Sequence, residues 1–207
     1  MSISTTPDGQ CRKIVAVTGF GLFGRFTGEN PSWTCVKELS TFPFPPGVEL
    51  QIRCVPVDYE NVEAQANDIW QNVEPDFVLH VGVNEHLSDS VAIERQAFNF
   101  GYCTRDVNGI VPLDNCYSKK EFSTLVTCVN IPGIVEHLKE CELESEVSIF
   151  LSDDPGRYLC GYLYFSSLTH DPSKVLFVHV PCFSAIATAR SVAEVLYQVI
   201  LGALNLE

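Results

Sequence analysis

Apolar residues in this chain gather into five short runs separated by segments of helical spacing. "KIVAVTG" (13–19), "VELQIRCVPV" (48–57), "DFVLHVGV" (76–83), "VSIFLS" (147–152) and "KVLFVHV" (174–180) are β-branched and nearly unbroken, the pattern of strands covered on both faces. Between and around them, "PSWTCVKELS", "YENVEAQANDIWQNV", "IPGIVEHLKEC", "GRYLCGYLYFSSL" and "AIATARSVAEVLYQVILGAL" place apolar residues three and four apart, as helices do. Alternation of the two predicts an α/β fold, a three-layer α/β/α sandwich around a mostly parallel sheet. The stretch from Asn99 to Asn130 breaks the rhythm. It is rich in Asn, Asp, Gly and aromatic residues and longer than an ordinary connection, which predicts a functional loop or lid with local structure.

Length and composition narrow the picture without naming a chemistry. A chain of 207 residues, 46% hydrophobic and 19% charged, fits one domain over residues 1–207, with 1–11 as a frayed terminus. The net charge of -13 is scattered along the chain, so nucleic acid and anionic membrane are not expected as partners. No apolar run is long enough to span a bilayer and the first residues lack the makeup of a secretory signal, which predicts a cytosolic protein. The nine cysteines are an odd number, and none stands in a C-x-x-C pair. They are therefore expected to be thiols, with no structural metal and no cofactor. Oligomeric state is not legible here.

The glycine-rich turn after the first strand, "TGFGLFGRFTGENPSW", invites a nucleotide-binding reading. Gly19, Gly21 and Gly24 have the spacing, but no helix can begin before Pro31 and no acidic residue ends a second strand at the required distance. Phe20 and Phe23, set among glycines, suit the grip of a flat, uncharged ring better than a phosphate.

A nucleophilic cysteine needs a base, exposure and a setting that suits a thiolate. Cys35, Cys54 and Cys141 lie in periodic apolar patterns and read as small buried hydrophobes; Cys11 falls in the terminus; Cys103, Cys116 and Cys128 fall in the irregular region. Cys160 follows "LSDDPG", where Ser152, Asp153 or Asp154 can cap a helix and Pro155 suits its first turn. That places it near the positive end of a helix dipole. The alternative is a buried stripe of Leu159, Cys160, Leu163 and Tyr164, and Cys182 stays a second choice. Among the histidines, His86, His137 and His170 read as solvated and His80 as a satisfied core residue. His179 ends its strand at the edge where open parallel sheets concentrate their sites, which makes it the candidate base. Glu94, flanked by apolar residues, either orients that imidazole or pairs with Arg95 or another arginine.

Taken in order, "VTGFGLFG" with "NPSW", "PDFVLHVGV", "AIERQAFN", "GRYLCGYLYFSSL" and "FVHVP" resemble the pyroglutamyl peptidase I family, cytosolic cysteine peptidases that remove an N-terminal pyroglutamate. The resemblance spans about residues 13 to 182. It implies a cysteine omega-peptidase acting on peptides with N-terminal pyroglutamate through a thioester, with Cys160 as nucleophile, His179 as base and Glu94 orienting it. It implies further that Phe20 and Phe23 sandwich the pyroglutamyl ring and that Asn30 lies near that pocket. Arg95 and Asn99 fall in the glutamate motif. The resemblance leaves monomer and tetramer both open.

Leu22 stands where the family usually has Pro, and Pro155 where Ala is usual. The first is expected to loosen the pocket loop and the second to shift the oxyanion donors. "NEHLSDS" and the segment 100–126 also match poorly. These departures motivate a second reading, a catalytically weak or inactive member that binds pyroglutamyl peptides.

Overall fold

The computed structural model describes residues 12–118, 122–143 and 146–206, so the expectation of a frayed 1–11, with Cys11, lies outside the described residues. In chain order the strands are β1 (Lys13–Phe20), β2 (Val48–Val55), β3 (Phe77–Val83), β4 (Ser90–Glu94), β5 (Gln96–Phe98), β6 (Thr124–Val126), β7 (Ser148–Ser152) and β8 (Val175–Val180). The α-helices are α1 (Pro31–Leu39), α2 (Tyr59–Asp68), α3 (Ile131–Glu140), α4 (Leu159–His170) and α5 (Ala189–Leu204).

Six strands form one sheet in the order β2-β1-β3-β8-β4-β7, and β5 pairs with β6 in a separate antiparallel ribbon. β2, β1, β3 and β8 run parallel, whereas β4 meets β8 antiparallel and carries β7 with it. Successive residues of a strand face opposite sides, so the central strands feed two cores. On one side Val15, Val17, Leu79, Val81, Leu176 and Val178 pack with Val36 of α1, Ile134 of α3 and Leu196 of α5. On the other Ala16, Val78 and Phe177 pack with Val62 of α2 and Leu163 and Phe165 of α4. Each Leu or Phe so buried contributes ~1.5–3 kcal/mol. This is the three-layer α/β arrangement that the alternation predicts.

Three expectations need correction. The strand β4 is absent from the periodicity reading because only Val91, Ala92 and Ile93 are apolar between polar flanks. Burial on both faces fails at the sheet edges: β2 is half-buried through most of its length, and β7 exposes Phe150 and Leu151. The helix of Cys160 starts later than its acidic caps suggest. Gly156 has φ +79, outside the helical region, and α4 opens at Leu159 with Tyr158 as N-cap.

The segment after Asn99 does have local structure. The Asp106 carboxylate accepts from the backbone N–H groups of Tyr59, Asn108 and Ile110, and the Asn99 amide bridges both backbone polar groups of Ser118. Buried Tyr102 meets Tyr59 and Tyr162 edge to face, which docks the segment on α2 and α4.

Candidate active site

The site forms where β8 ends beneath the start of α4. In the β4–β8 ladder Ala92 stands opposite His179 and Glu94 opposite Phe177. Glu94 is therefore the diagonal neighbour of His179 on the same face, a separation that a long side chain spans. Its Oε1 accepts from His179 Nδ1 at 2.7 Å, and both residues are buried. The β4 chain itself is held by Tyr164 of α4, whose hydroxyl donates to the Glu94 carbonyl at 3.0 Å.

With Nδ1 taken by Glu94, Nε2 is the nitrogen left to serve Cys160, whose sulfur is one of the two groups that act on the charge of the ring. Burial by itself would push the His179 pKa down. The Cys160 sulfur and the Glu94 carboxylate together more than offset it, and the pKa is raised from 6.5 to about 9. The imidazole accordingly carries a proton at neutral pH. His80, on the same sheet face, is the contrasting case. It is wholly buried between Thr18 Oγ1 at 2.8 Å and Ser167 Oγ at 2.7 Å, and burial holds its pKa down at about 3. It is a satisfied neutral core histidine, as its apolar surroundings predict.

Cys160 is the second residue of α4, and the first N–H of this helix to meet a helical carbonyl is that of Tyr162, on Tyr158 O. No side chain caps the start, so the N–H groups of Leu159, Cys160 and Gly161 open the helix without a capping side chain. Cys160 is partly exposed, whereas Leu159, Leu163 and Tyr164 are buried, so the stripe reading holds for its neighbours and not for the cysteine. Asp153 and Asp154 do not cap because each serves an arginine. Arg95 forks onto the Asp153 carboxylate, and Arg157 reaches Asp154 at 2.5 Å. Arg95 is thus not the partner of Glu94. Pro155 is buried upstream of the Tyr158 cap and removes no N–H from the helix start.

Beside Cys160 lies a narrow apolar pocket of Phe20, Phe23, Val57, Val83, Tyr158 and Leu159. Phe20 is buried and Phe23 half-buried, its ring 6.4 Å from that of Tyr158. Their loop is tied down rather than loose. Phe20 N donates to Ser32 Oγ, Gly21 N donates to Val55 O, and Asn30 Nδ2 donates to Gly21 O at 2.8 Å. Asn30 Oδ1 accepts from Ser32 N as the N-cap of α1, so Asn30 acts on the pocket through its loop. Leu22 is exposed on the outside of that loop.

Of the residues weighed from sequence, Phe20, Phe23, Glu94, Cys160 and His179 come together here, with Asn30 behind the loop. Cys182 stands nearby but takes a hydrogen bond from Arg25 at 3.3 Å. Cys35 is buried as expected, whereas Cys54 is exposed, because β2 is an edge strand, and Cys141 is only partly covered at the end of α3. His137 bonds Gln198 across to α5 and His170 stacks on Trp70, so neither is merely solvated. Tyr158, Val57 and Val83 were not anticipated. Their signal is position alone: each ends a strand run or precedes Cys160 at the C-terminal edge of the sheet.

The family model described as pyroglutamyl peptidase matches residues 13–206. The pyroglutamyl-peptidase 1 of Homo sapiens is 33% identical over 172 residues, 83% of this chain and 80% of that protein. A mutant pyrrolidone carboxyl peptidase from Pyrococcus furiosus superposes with a TM-score of 0.80 at 23% identity, covering 93% of this chain and 98% of that one. The pyroglutamyl peptidase I structure from Bacillus amyloliquefaciens gives a TM-score of 0.78 at 22% identity over 93% and 95%. A six-stranded, mostly parallel α/β fold, a cysteine, histidine and glutamate at one sheet edge, and a sequence match over nearly the whole chain converge, and the chain belongs to the pyroglutamyl peptidase family of cysteine peptidases.

Proposed function

We propose that this protein hydrolyses the bond following an N-terminal pyroglutamyl residue of a peptide, with Cys160 as nucleophile, His179 as proton carrier and Glu94 as the group that orients it. One observation carries the reading. The buried Glu94–His179 hydrogen bond stands behind Cys160, whose sulfur raises the pKa of that imidazole, and Cys160 itself lines the apolar pocket of Phe20 and Phe23. A lactam ring is flat, uncharged and without a free amine, and it suits an aromatic slot with no charged subsite.

In the first half-reaction the proton of Cys160 resides on His179, and the sulfur attacks the pyroglutamyl carbonyl carbon. The developing oxyanion is met by N–H groups at the start of α4, that of Cys160 among them. The C–N bond breaks as His179 gives its proton to the leaving amine, which departs as the shortened peptide and leaves a thioester. In the second, water loses a proton to the now neutral imidazole and attacks the thioester. The C–S bond breaks, releasing pyroglutamate and returning the proton to the Cys160–His179 pair. Glu94 keeps the ring in one tautomer throughout.

The reading extends to a cytosolic location and one domain over 1–207. The described cysteines stand as free thiols, which suits a reducing compartment, and no described helix is long and apolar enough to cross a membrane. Release of aminomethylcoumarin from its pyroglutamyl derivative, and none from the glutaminyl derivative, is the expected selectivity. Saturable binding of pyroglutamyl peptides without release would favour the silent-binder reading instead.

A further inference from the structure

Gly82 is buried in β3 with an ordinary strand backbone, so its dihedral angles do not require glycine. A side chain is what the site excludes. A Cβ built at Gly82 would lie 2.8 Å from Cys160 Sγ and 2.7 Å from Phe177 Cζ. Both are far inside the ~3.5–4.0 Å at which nonbonded carbon atoms pack.

The neighbours of Gly82 show why the position is particular. Val78, His80 and Gly82 share the face of β3 that looks toward α4. One step below, His80 has room for a full imidazole and bonds Ser167 in the later part of α4. At Gly82 the start of α4 comes down on the sheet, and the volume of a side chain is occupied by Sγ together with the edge of the Phe177 ring. Gly82 is also the register partner of His179 on β8. The sulfur therefore rests on bare backbone next to the imidazole.

We propose that Gly82 is a positioning residue for the nucleophile: the absence of its Cβ is the seat that lets Cys160 Sγ stand against His179. The inference rests on the reading of Cys160 and His179 as the reacting pair. An alanine here can be accommodated in two inexpensive ways. The sulfur can rotate about its Cα–Cβ bond to another rotamer, which takes it off the imidazole. The Phe177 ring, whose centroid lies 4.9 Å from that of His179, can shift and carry the base with it. Either movement opens the pair while leaving the fold in place.

The test is the alkylation rate of Cys160 by iodoacetamide at about pH 6, where an ordinary thiol reacts poorly, followed by mass spectrometry on the Cys160 peptide. Gly82→Ala is expected to slow it by about 100-fold, the scale set by misplacing a reacting atom by ~1 Å. Exposed Cys103 in the same sample is the internal reference. If wild-type Cys160 reacts no faster than Cys103, the Cys160–His179 pairing itself has failed. If wild-type Cys160 reacts fast and folded Gly82→Ala reacts equally fast, the inference about Gly82 is overturned. A double-mutant cycle on urea unfolding reads the same contact without activity. Gly82→Ala should cost less stability in a Cys160→Ala background, where the sulfur is gone and only the Phe177 ring still has to give way, and an equal cost in both backgrounds overturns the proposal. A single variant too unstable to isolate, beside a double variant that folds, gives the supporting answer.

Discussion

Glu94 Oε1 and His179 Nδ1 lie 2.7 Å apart in an interior that leaves the two residues 1% and 4% exposed. A carboxylate so placed fixes which ring nitrogen carries the proton and where the other nitrogen points. Glu94→Gln keeps the size and removes the charge. It should lower kcat by about a hundredfold or more while leaving KM little changed, the pattern of a group that orients a base. Steady-state kinetics check this, and a variant with wild-type kcat would count against the orienting role.

Two histidines give the stability curve opposite limbs. The folded pKa of His179, about 9, stands above the ~6.5 of an unfolded histidine, so its contribution is complete below pH ~6.5 and is lost as pH rises through about 9. His80 is held at about 3 by burial, so its contribution is complete above pH ~6.5 and is lost as pH falls toward 3. Burial opposes the elevation at His179, and the Cys160 sulfur leads the influences that overcome it. On the proposed reading the proton on His179 is that of Cys160, so the pair differs from the unfolded chain in bound protons only above the ~8.5 of an ordinary thiol. Urea midpoints measured from pH ~8.5 to ~9.5 should therefore decline in the wild type and decline less in Cys160→Ala. An alkaline limb of unchanged steepness in that variant would contradict the coupling.

Phe23 and Phe20 line one pocket yet should fail in different assays. Phe23 is half-buried and touches Phe26 and Tyr158 at the pocket wall, so Phe23→Ala should raise KM about tenfold with a stable fold. Phe20 belongs to the core packed under α4, and Phe20→Ala should cost ~3–5 kcal/mol in urea unfolding. Equal stability losses in the two variants would argue that Phe23 is a core residue and not a pocket wall.

Asn30 supports the same pocket from behind. Asn30→Ala removes the N-cap of α1 and the bond to Gly21 O, with an expected loss of ~1–2 kcal/mol and a raised KM at nearly unchanged kcat. Thermal or urea unfolding alongside kinetics checks both parts. A raised KM with no loss of stability would show that Asn30 meets the substrate directly.

The parts of the fold that rest on periodicity were legible, and those that rest on long-range choice were not. Near-continuous β-branched runs marked β1, β3 and β8, and three- and four-residue spacing marked all five helices. The strand β4 escaped because its apolar stretch is short, and its antiparallel pairing with β8 is what brings Glu94 diagonally to His179. A parallel sheet inferred from alternation does not contain that contact. The start of α4 was displaced because Asp153 and Asp154, good caps by type, are held by Arg95 and Arg157, facts of tertiary structure. Cys54 read as buried for a related reason, since its run does not reveal that β2 lies at an edge. The chemistry was legible chiefly through the ordered motifs. Context alone left Cys160 and Glu94 each with an inert alternative, which the geometry at His179 now disfavours.

The central claim is that Cys160, driven by the His179–Glu94 pair, opens the pyroglutamyl bond. The most direct measurement compares reduced wild-type and Cys160→Ala protein for release of aminomethylcoumarin from its pyroglutamyl derivative, with binding of a pyroglutamyl peptide followed in parallel. Release by the wild type, none by Cys160→Ala, and retained binding by both are predicted. Equal release by the two proteins, or none by the reduced wild type, would contradict the account.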